Sequence, residues 1–405
     1  MKTKTLRRFK ILAGLVVAAL VLHTVLLVTS GIALRNARAE LRAAGRPMTM
    51  EEIIPKEVSP SENAAPIYES AFALLKSESV DGKTLEQFVT DTAKEYATQP
   101  DLNTTRVAFE NALANPTFSQ ALELVEQATT RTQCNFNLQY DLGASLIVPH
   151  IHSMLNVGRI LNAKTLLHAR RGEPQQAHAT LEIALRMADA LRDEPILISA
   201  LVRNAQYKVA LETLPSLCAI APPDDETAAH LIALLDGVDP MAPFFRALDG
   251  ERLLYGEWFY NGFADRKVHD LLGAENDGDW SDRFVMGLLG YRPSLQLDHA
   301  FYLRNYARSA NNASLPFWEI FPPPRMNPEE ELPWYATLSR CVTISFNSSC
   351  LGTIRMQAQL CVARTGLALL RHKLAHGAYP ATLAEIDPSF LPEIPLDPFT
   401  GTPLI

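Results

Sequence analysis

Two histidines four positions apart, His372 and His376, have the most suggestive spacing for chemistry in this chain of 405 residues. Residues at i and i+4 share one face of a helix, which is how paired histidines hold zinc in metalloproteases. Such a site also needs a glutamate directly after the first histidine as general base, and Lys373 stands there instead. We therefore interpret the pair as a surface or helix-end feature, with His376 suited to the negative C-terminal end of the helix.

A charged pair, Glu251 and Arg252, follows Gly250 in a segment rich in aromatic residues. One hypothesis is a structural role, in which buried charges organise neighbouring helices through paired contacts. The other is a substrate-binding pair in an active site assembled from distant residues. Adjacent side chains on a helix point apart, so each of the two needs its own partner.

The other candidate sites fail on spacing. His150 and His152 lie two positions apart, which places them on different faces of a helix. An acidic stretch at 275–282 resembles a calcium loop, but aligning Gly278 with the loop's glycine puts Phe284 where a bidentate carboxylate is required. No nucleotide-binding glycine motif or serine-hydrolase motif occurs. The sequence thus predicts no catalytic residue, no cofactor and no metal.

The five cysteines are sparse, odd in number and without a CxxC pair, which favours free thiols over a disulfide framework or a zinc site. We expect Cys341, Cys350 and Cys361 to share one helix. Neighbours nine or more positions apart on a helix are separated by more than about 13 Å, too far for a disulfide.

The elements that position these residues begin with an apolar N-terminal segment. Residues 11–34 are interrupted only by His23, a few hydroxyl residues and glycines, and a basic stretch precedes them. At ~1.5 Å per residue, the segment can cross a hydrocarbon layer of ~30 Å. A cleaved signal peptide is the alternative, with Ala37-Arg38-Ala39 as a formal cleavage site, although its apolar region is normally shorter. The sequence therefore predicts an uncleaved transmembrane anchor.

Charge is divided unevenly along the chain. The first 46 residues carry nine basic residues and one acidic residue, whereas residues 47–405 carry 28 basic and 44 acidic residues, a net charge of −16. Five basic residues before the span and four after it favour a cytoplasmic N-terminus, hence an inner-membrane protein with its C-terminal part in the periplasm. So acidic a domain repels nucleic acid. The expected partners are the lipid bilayer, through residues 11–34, and other envelope proteins.

Antiparallel helices with short loops are predicted between Ile151 and Leu217. Gly172 is a C-cap, Pro174 suits the first turn of the next helix, and that helix has a narrow apolar seam. The seam consists of Ala177, Leu181, Ala184, Ala188 and Leu191, and a third helix repeats it with Ile198, Val202, Ala205 and Val209. From Gly172 to Ala184 the spacing resembles a tetratricopeptide-type hairpin over about one repeat. This resemblance implies a divergent helical array; an ordinary helical bundle is the alternative.

A long helix precedes the C-terminal tail, and its apolar residues recur at spacings of three and four until Gly377. They are Met356, Leu360, Ala363, Leu367, Leu370 and Leu374. The tail from His376 to Leu404 contains six prolines, which lower the entropy lost when a stretch without regular hydrogen bonds becomes ordered. The tail is therefore predicted to form a rigid strap across the helices.

The C-terminal tail also resembles segments of known protein families. Gly377, Tyr379 and Pro380, then a short helix, then Pro395-x-Asp397-Pro398-Phe399-x-Gly401 resemble the segment after the long helix of type II secretion pseudopilins. Together with the N-terminal span and the stretches ENAAPIYESA and GER, the tail resembles uncharacterised, signal-anchored bacterial envelope proteins. The leader and early glutamate that pilin processing needs are absent. The pseudopilin calcium loop lies beyond this motif, so no metal ligand carries over, and Asp397 is interpreted as a turn residue.

These observations predict a mainly α fold: an N-terminal transmembrane helix, an α-helical array or bundle of divergent tetratricopeptide-like hairpins, and a proline-rich C-terminal strap. The expected divisions are a cytoplasmic basic tail (1–10), the transmembrane helix (11–34), a juxtamembrane helix (35–48), the helical array (49–239), an aromatic-rich segment with a proline-rich hinge (240–324), and the long helix with its tail (325–405). The favoured function is a protein- or peptide-binding scaffold of the cell envelope. The alternatives are an enzyme with a site near Glu251 and Arg252, and a pseudopilin-like secretion component.

Overall fold

The computed structural model describes residues 2–264, 290–313, 315–320, 333, 335–342 and 346–405. The structure is 72% helix and 2% strand, so the predicted mainly α fold with an N-terminal apolar helix is confirmed. The α-helices are α1 (Lys2–Ala43), α2 (Ala65–Ser77), α3 (Leu85–Thr98), α4 (Asn103–Leu113), α5 (Pro116–Thr129), α6 (Ile151–Arg170), α7 (Pro174–Asp189), α8 (Leu197–Ile220), α9 (Asp225–Asp236), α10 (Met241–Glu251), α11 (Trp258–Ala264), α12 (Arg292–Ala313), α13 (Phe317–Ile320), α14 (Thr337–Val342) and α15 (Phe346–His376).

Shorter elements connect some of these helices. An antiparallel pair of two-residue strands, β1 (Ser79–Val80) and β2 (Lys83–Thr84), leads into α3. Turns of 3-10 helix lie at Met50–Glu52, Tyr140–Ser145 and Leu383–Glu385, and a π-helical turn at Arg252–Glu257 lies between α10 and α11. The acidic stretch at 275–282 and the proline-rich hinge at 321–328 are outside the described residues.

The chain divides into two compact units. Unit 1 consists of Met1–Glu52, Arg252–Ser314 and Pro323–Phe346, and unit 2 of Ile53–Glu251, Leu315–Pro322 and Asn347–Ile405. The boundary between Glu251 and Arg252 therefore assigns these two adjacent candidate residues to different units.

Unit 1 is built on α1, one continuous helix that passes through both the predicted span and the predicted juxtamembrane segment. Its C-terminal part packs against α12, while α12 also contacts α11 and α14. The apolar core contains Ala37, Leu41, Tyr260, Phe263, Leu295, Ala300, Tyr302, Leu303 and Leu338. Asp298 joins three helices, because its carboxylate accepts hydrogen bonds from the Tyr260 hydroxyl and from the backbone N–H groups of Leu338 and Ser339.

Unit 2 contains α2 to α10, α13 and nearly all of α15. Consecutive helices α6, α7 and α8 contact one another, as the short loops predict. Gly172, at φ +74°, ends α6, and Pro174 opens α7. The predicted α7 seam is confirmed, because all five of its residues are buried. One apolar core lies among α2 to α7, and a second one lies among α7, α8, α9 and α15.

The predicted seam of α8 is wrong in part. Ile198 is 46% exposed, whereas Arg203, Asn204 and Gln206 are buried. The reason is that α8 contacts α6, α7 and α10, so it is enclosed on more than one side and its polar residues are buried with the apolar ones. The seam of α15 holds from Met356 to Leu370, but Leu374 is 55% exposed near the end of the helix.

The cysteine expectation also needs correction. Cys350 and Cys361 lie on α15, but Cys341 lies on the separate helix α14. Cys134 and Cys350 are buried free thiols, and Cys218 and Cys361 are partly buried free thiols.

The C-terminal tail packs as a strap, as predicted. Ile386 and Leu391 are buried in the second core of unit 2, and the Arg371 guanidinium lies 4.4 Å from the centre of the Phe390 ring. The last residues fold back on themselves, with Leu396 and Pro403 forming an antiparallel bridge.

Candidate functional site

Gly250 and Glu251 lie at the end of α10 in unit 2. A Cβ atom on Gly250 would lie 1.7 Å from the carbonyl oxygen of Pro195, so only glycine permits this close approach of α10 to the loop before α8. Burial of Glu251 raises the pKa of its carboxyl group to about 7, although a backbone hydrogen bond at Leu197 acts in the opposite direction. A general acid or base needs a pKa near neutrality, and Glu251 reaches such a pKa through desolvation.

Arg252 belongs to unit 1, where its side chain is fully buried. It donates a hydrogen bond to the carbonyl oxygen of Pro47, and its guanidinium lies 5.2 Å from the centre of the Tyr306 ring. Its Nη1 atom is also 3.9 Å from Oε1 of Glu257. These contacts anchor the loop after α1 to the helical core of unit 1, which is a structural role.

Glu257 is the centre of a buried ionic cluster in unit 1. Burial alone would raise the pKa of its carboxyl group, but His299, Arg38 and Arg252 outweigh burial and lower it to about 2. The carboxylate lies 3.2 Å from His299 Nε2 and 3.1 Å from Arg38 Nη2. The His299 ring stacks on Tyr260 at 4.2 Å between centroids. The cluster thus holds α1, the π-helical turn and α12 together by paired charges.

The rings of His372 and His376 lie next to each other at the end of α15, with centroids 4.4 Å apart and ring planes tilted by 44°. Among the residues that the structure describes, no group of three or more histidine, cysteine, aspartate or glutamate residues is arranged to hold a metal ion. Asp397 occupies a turn, where its carboxylate accepts a hydrogen bond from the backbone N–H of Phe399 at 2.9 Å and its carbonyl accepts one from Gly401. The candidate residues of the tail are therefore placed on different structural features rather than in one site.

A buried polar pair that the sequence analysis did not identify lies in unit 2. His150 Nε2 and Glu194 Oε1 are 2.8 Å apart with both side chains 2% exposed, although the contact lacks hydrogen-bond alignment. Glu194 accepts a hydrogen bond from Ser199 at 2.5 Å, and the His150 ring stacks on Phe136 at 3.7 Å. Glu194 sits in the loop before α8, so helical periodicity contains no signal for its burial.

A cleft of about 810 Å³ lies in unit 2. Its floor is the outward face of α7, with Ala179, Ile183 and Arg186 at spacings of four and three, followed by Ala190. This row of residues extends over roughly 16 Å. One side of the cleft is lined by Glu126 and residues 128–134, at the end of α5 and beyond. The other side is lined by Ala233, Leu234, Gly237 and Val238, at the end of α9.

Charges of both signs line the cleft, and several of them pair with each other. Three arginines and four carboxylates take part, namely Arg131, Arg186, Arg192, Glu126, Glu182, Asp189 and Asp193. Arg186 contacts Glu182 at 2.7 Å, and Arg192 contacts Asp189 at 2.8 Å. Asp189 also binds the buried guanidinium of Arg203 at 2.8 Å. A ligand here meets both signs of charge at short range, which favours a mixed polar and apolar ligand over a strongly charged one.

The cleft is better suited to binding than to covalent chemistry. Its one cysteine, Cys134, is buried, and desolvation raises the pKa of its thiol far above neutrality, so the reactive thiolate is disfavoured. Burial likewise raises the pKa of the Tyr207 hydroxyl. Glu251 and Arg252 do not line this cleft.

Comparisons with known proteins found no relative of this chain. No protein-family model matches the chain, and no curated protein or solved structure is significantly similar to it.

Proposed function

We propose that this chain is a single-pass membrane protein of the bacterial envelope whose helical unit 2 binds an extended segment of another polypeptide in the α7 cleft. The cleft is the observation that carries this proposal. Its volume lies in the range of natural ligand pockets, and its floor is long enough for about five residues of extended chain. Alternating charges and small apolar residues suit a peptide backbone with mixed side chains.

The anchor in this proposal is the N-terminal part of α1. One helix in the described part of the chain, Arg7–Ala43, is long and apolar enough to cross a membrane. None of the residues in its most apolar stretch is buried. A helix in the core of a water-soluble protein would be mostly buried, so the exposure supports a lipid environment. The basic residues before the span favour a cytoplasmic N-terminus and a periplasmic unit 2.

The test is a binding measurement on the full-length protein in lipid nanodiscs, with a library of short unstructured peptides as the probe. Ala179 lies on the cleft floor and is exposed on α7, so Ala179→Arg fills the cleft without burying a charge. We expect this variant to weaken peptide binding about ten-fold or more, equivalent to about 1.4 kcal/mol. Ala73 on α2 is exposed and outside the cleft, so Ala73→Arg is the matched control and should bind as the wild type does. Equal binding by both variants, or no binding by the wild type, would refute the proposal.

An enzymatic function has one specific observation in its favour, the raised pKa of Glu251. A turnover assay with Glu251→Gln tests it, because a catalytic carboxylate would lose activity on this change while peptide binding in the cleft would persist. The pseudopilin-like alternative predicts proteolytic removal of a short leader, which an intact mass of the membrane-inserted protein would exclude.

A further inference from the structure

The C-terminal part of α1 is not a free spacer above the membrane. Every described side chain from Arg7 to Leu26 is exposed, and the first fully buried side chain of the helix is Ser30. Farther along, Ala37 and Leu41 are buried in the core of unit 1. The helix therefore changes from an exposed rod to a packed element between Leu26 and Ser30.

Three contacts show how α12 is aligned with α1. The His23 ring and the Tyr291 hydroxyl are hydrogen-bonded at 2.8 Å. The Ser30 hydroxyl donates to Gln296 at 2.8 Å, and Arg304 donates to Glu40 at 3.3 Å. Residue numbers increase together along both helices, so α1 and α12 run parallel. The N-terminal end of α12 thus lies beside His23, within the apolar part of α1.

The length of the exposed segment sets the depth of this contact. Arg7 to Leu26 is twenty residues, about 30 Å of helix, which is the thickness of the hydrocarbon layer. His23 then lies about 5 Å inside the hydrocarbon layer, measured from the limit at Leu26. A span from Ile11 to Ser30 would place His23 deeper still. Because its hydroxyl is hydrogen-bonded to His23, the Tyr291 side chain then reaches about 5 to 10 Å below that limit, close to the boundary between headgroups and acyl chains.

We propose that unit 1 is seated in the outer part of the bilayer, with Tyr291 and the first turn of α12 at the boundary between the lipid headgroups and the acyl chains. This inference rests on the membrane anchor proposed above. Tyrosine is enriched at this depth because its ring is apolar and its hydroxyl can hydrogen-bond. Tyr291 is 39% exposed and Arg292 beside it is also exposed, so lipid can reach both side chains while His23 binds the hydroxyl. The lipid interface is the partner of this surface.

The experiment places one genetically encoded fluorescent amino acid in the full-length protein, reconstituted into phosphatidylcholine vesicles that carry nitroxide quenchers in the headgroup region. The reporter replaces Tyr291 or, in a second variant that keeps the contact with His23, Arg292. Val25, exposed on the span, is the membrane reference. Arg308, exposed on α12, lies about 25 Å farther along the helix and is the water-facing reference.

We expect reporters at 291 and 292 to lose most of their fluorescence, as the reporter at 25 does, and the reporter at 308 to lose little. Quenching at 25 without quenching at 291 and 292 would overturn the seating of unit 1 and leave the anchor intact. An absence of quenching at 25 would overturn both the anchor and the inference that rests on it.

Discussion

Glu251 is a carboxyl group whose protonation couples folding to pH. Burial raises its pKa in the folded protein from 4.5 to about 7. Between these values the folded state binds more protons than the unfolded state, so the contribution of Glu251 to stability declines as pH rises from 4.5 to 7 and is constant above that. At pH 8 the folded protein holds a buried charge that the unfolded chain hydrates freely.

Replacing Glu251 with glutamine should therefore stabilise the protein at pH 8, by up to about 3 kcal/mol at 1.36 kcal/mol per pKa unit. The amide oxygen can still accept the hydrogen bond from the backbone of Leu197. The measurement is denaturant unfolding of wild type and variant in detergent from pH 4.5 to 8, followed by circular dichroism. The gain should vanish at the acidic end. Glu212→Gln, at an exposed position on α8, is the control and should show little change. A gain from Glu251→Gln that is the same at every pH would contradict this account.

At the scale of elements, the C-terminal strap depends on how its last loop packs. Gly401 has φ +69°, and a Cβ atom there would lie 2.7 Å from the ring of Trp318. Gly377, at the end of α15, has φ +81° but nothing within 4 Å of a Cβ position. Both glycines are needed for backbone conformation, whereas only Gly401 is needed for a close approach to a side chain.

Gly401→Ala should loosen the strap more than Gly377→Ala does. The alanine at 377 adds a backbone penalty of roughly 1 kcal/mol, and the alanine at 401 adds this penalty and a clash with the indole ring. Limited chymotrypsin digestion, with mass spectrometry of the released peptides, measures how fast the chain is cut after Phe390 and Phe399. We expect faster cleavage in Gly401→Ala than in Gly377→Ala. Equal rates would show that the Trp318 contact does not hold the strap.

At the scale of the whole molecule, the proposed membrane attachment depends on one exposed apolar helix. Leu20 is 60% exposed in the middle of that helix, and a charge there would face hydrocarbon. Leu374 on α15 is similarly exposed, at 55%, but belongs to unit 2. The two leucines therefore allow the same substitution to be compared in two surroundings.

Leu20→Arg should reduce the fraction of protein that stays with membranes after an alkaline carbonate wash. An arginine at the centre of a span disfavours insertion by about 2.5 to 3.5 kcal/mol. Leu374→Arg should leave membrane retention unchanged. The intact mass of the wild-type protein should include residues 1–39; a mature chain that begins after Ala39 would identify a cleaved signal peptide and refute the anchor.

The sequence by itself determined the features that depend on neighbouring residues. The apolar N-terminal helix, the end of α6 at Gly172, the start of α7 at Pro174 and the α7 seam were all predicted correctly. These features arise from hydrophobic periodicity, fixed φ angles and capping within one or two turns of helix. The proline-rich strap belongs to the same group, because proline restricts its own residue and the one before it.

Only the tertiary structure decided which polar residues are buried and where the cleft lies. Arg203 forms an ion pair with Asp189. The Asn204 amide donates a hydrogen bond to the Thr353 hydroxyl at 3.0 Å, although the two residues are 149 positions apart in the sequence. Periodicity shows which side of a helix is apolar, but it does not show how many neighbours enclose the helix. The polar face of α8, the His150 and Glu194 pair and the α7 cleft all depend on helices brought together from distant parts of the chain, which local spacing does not encode.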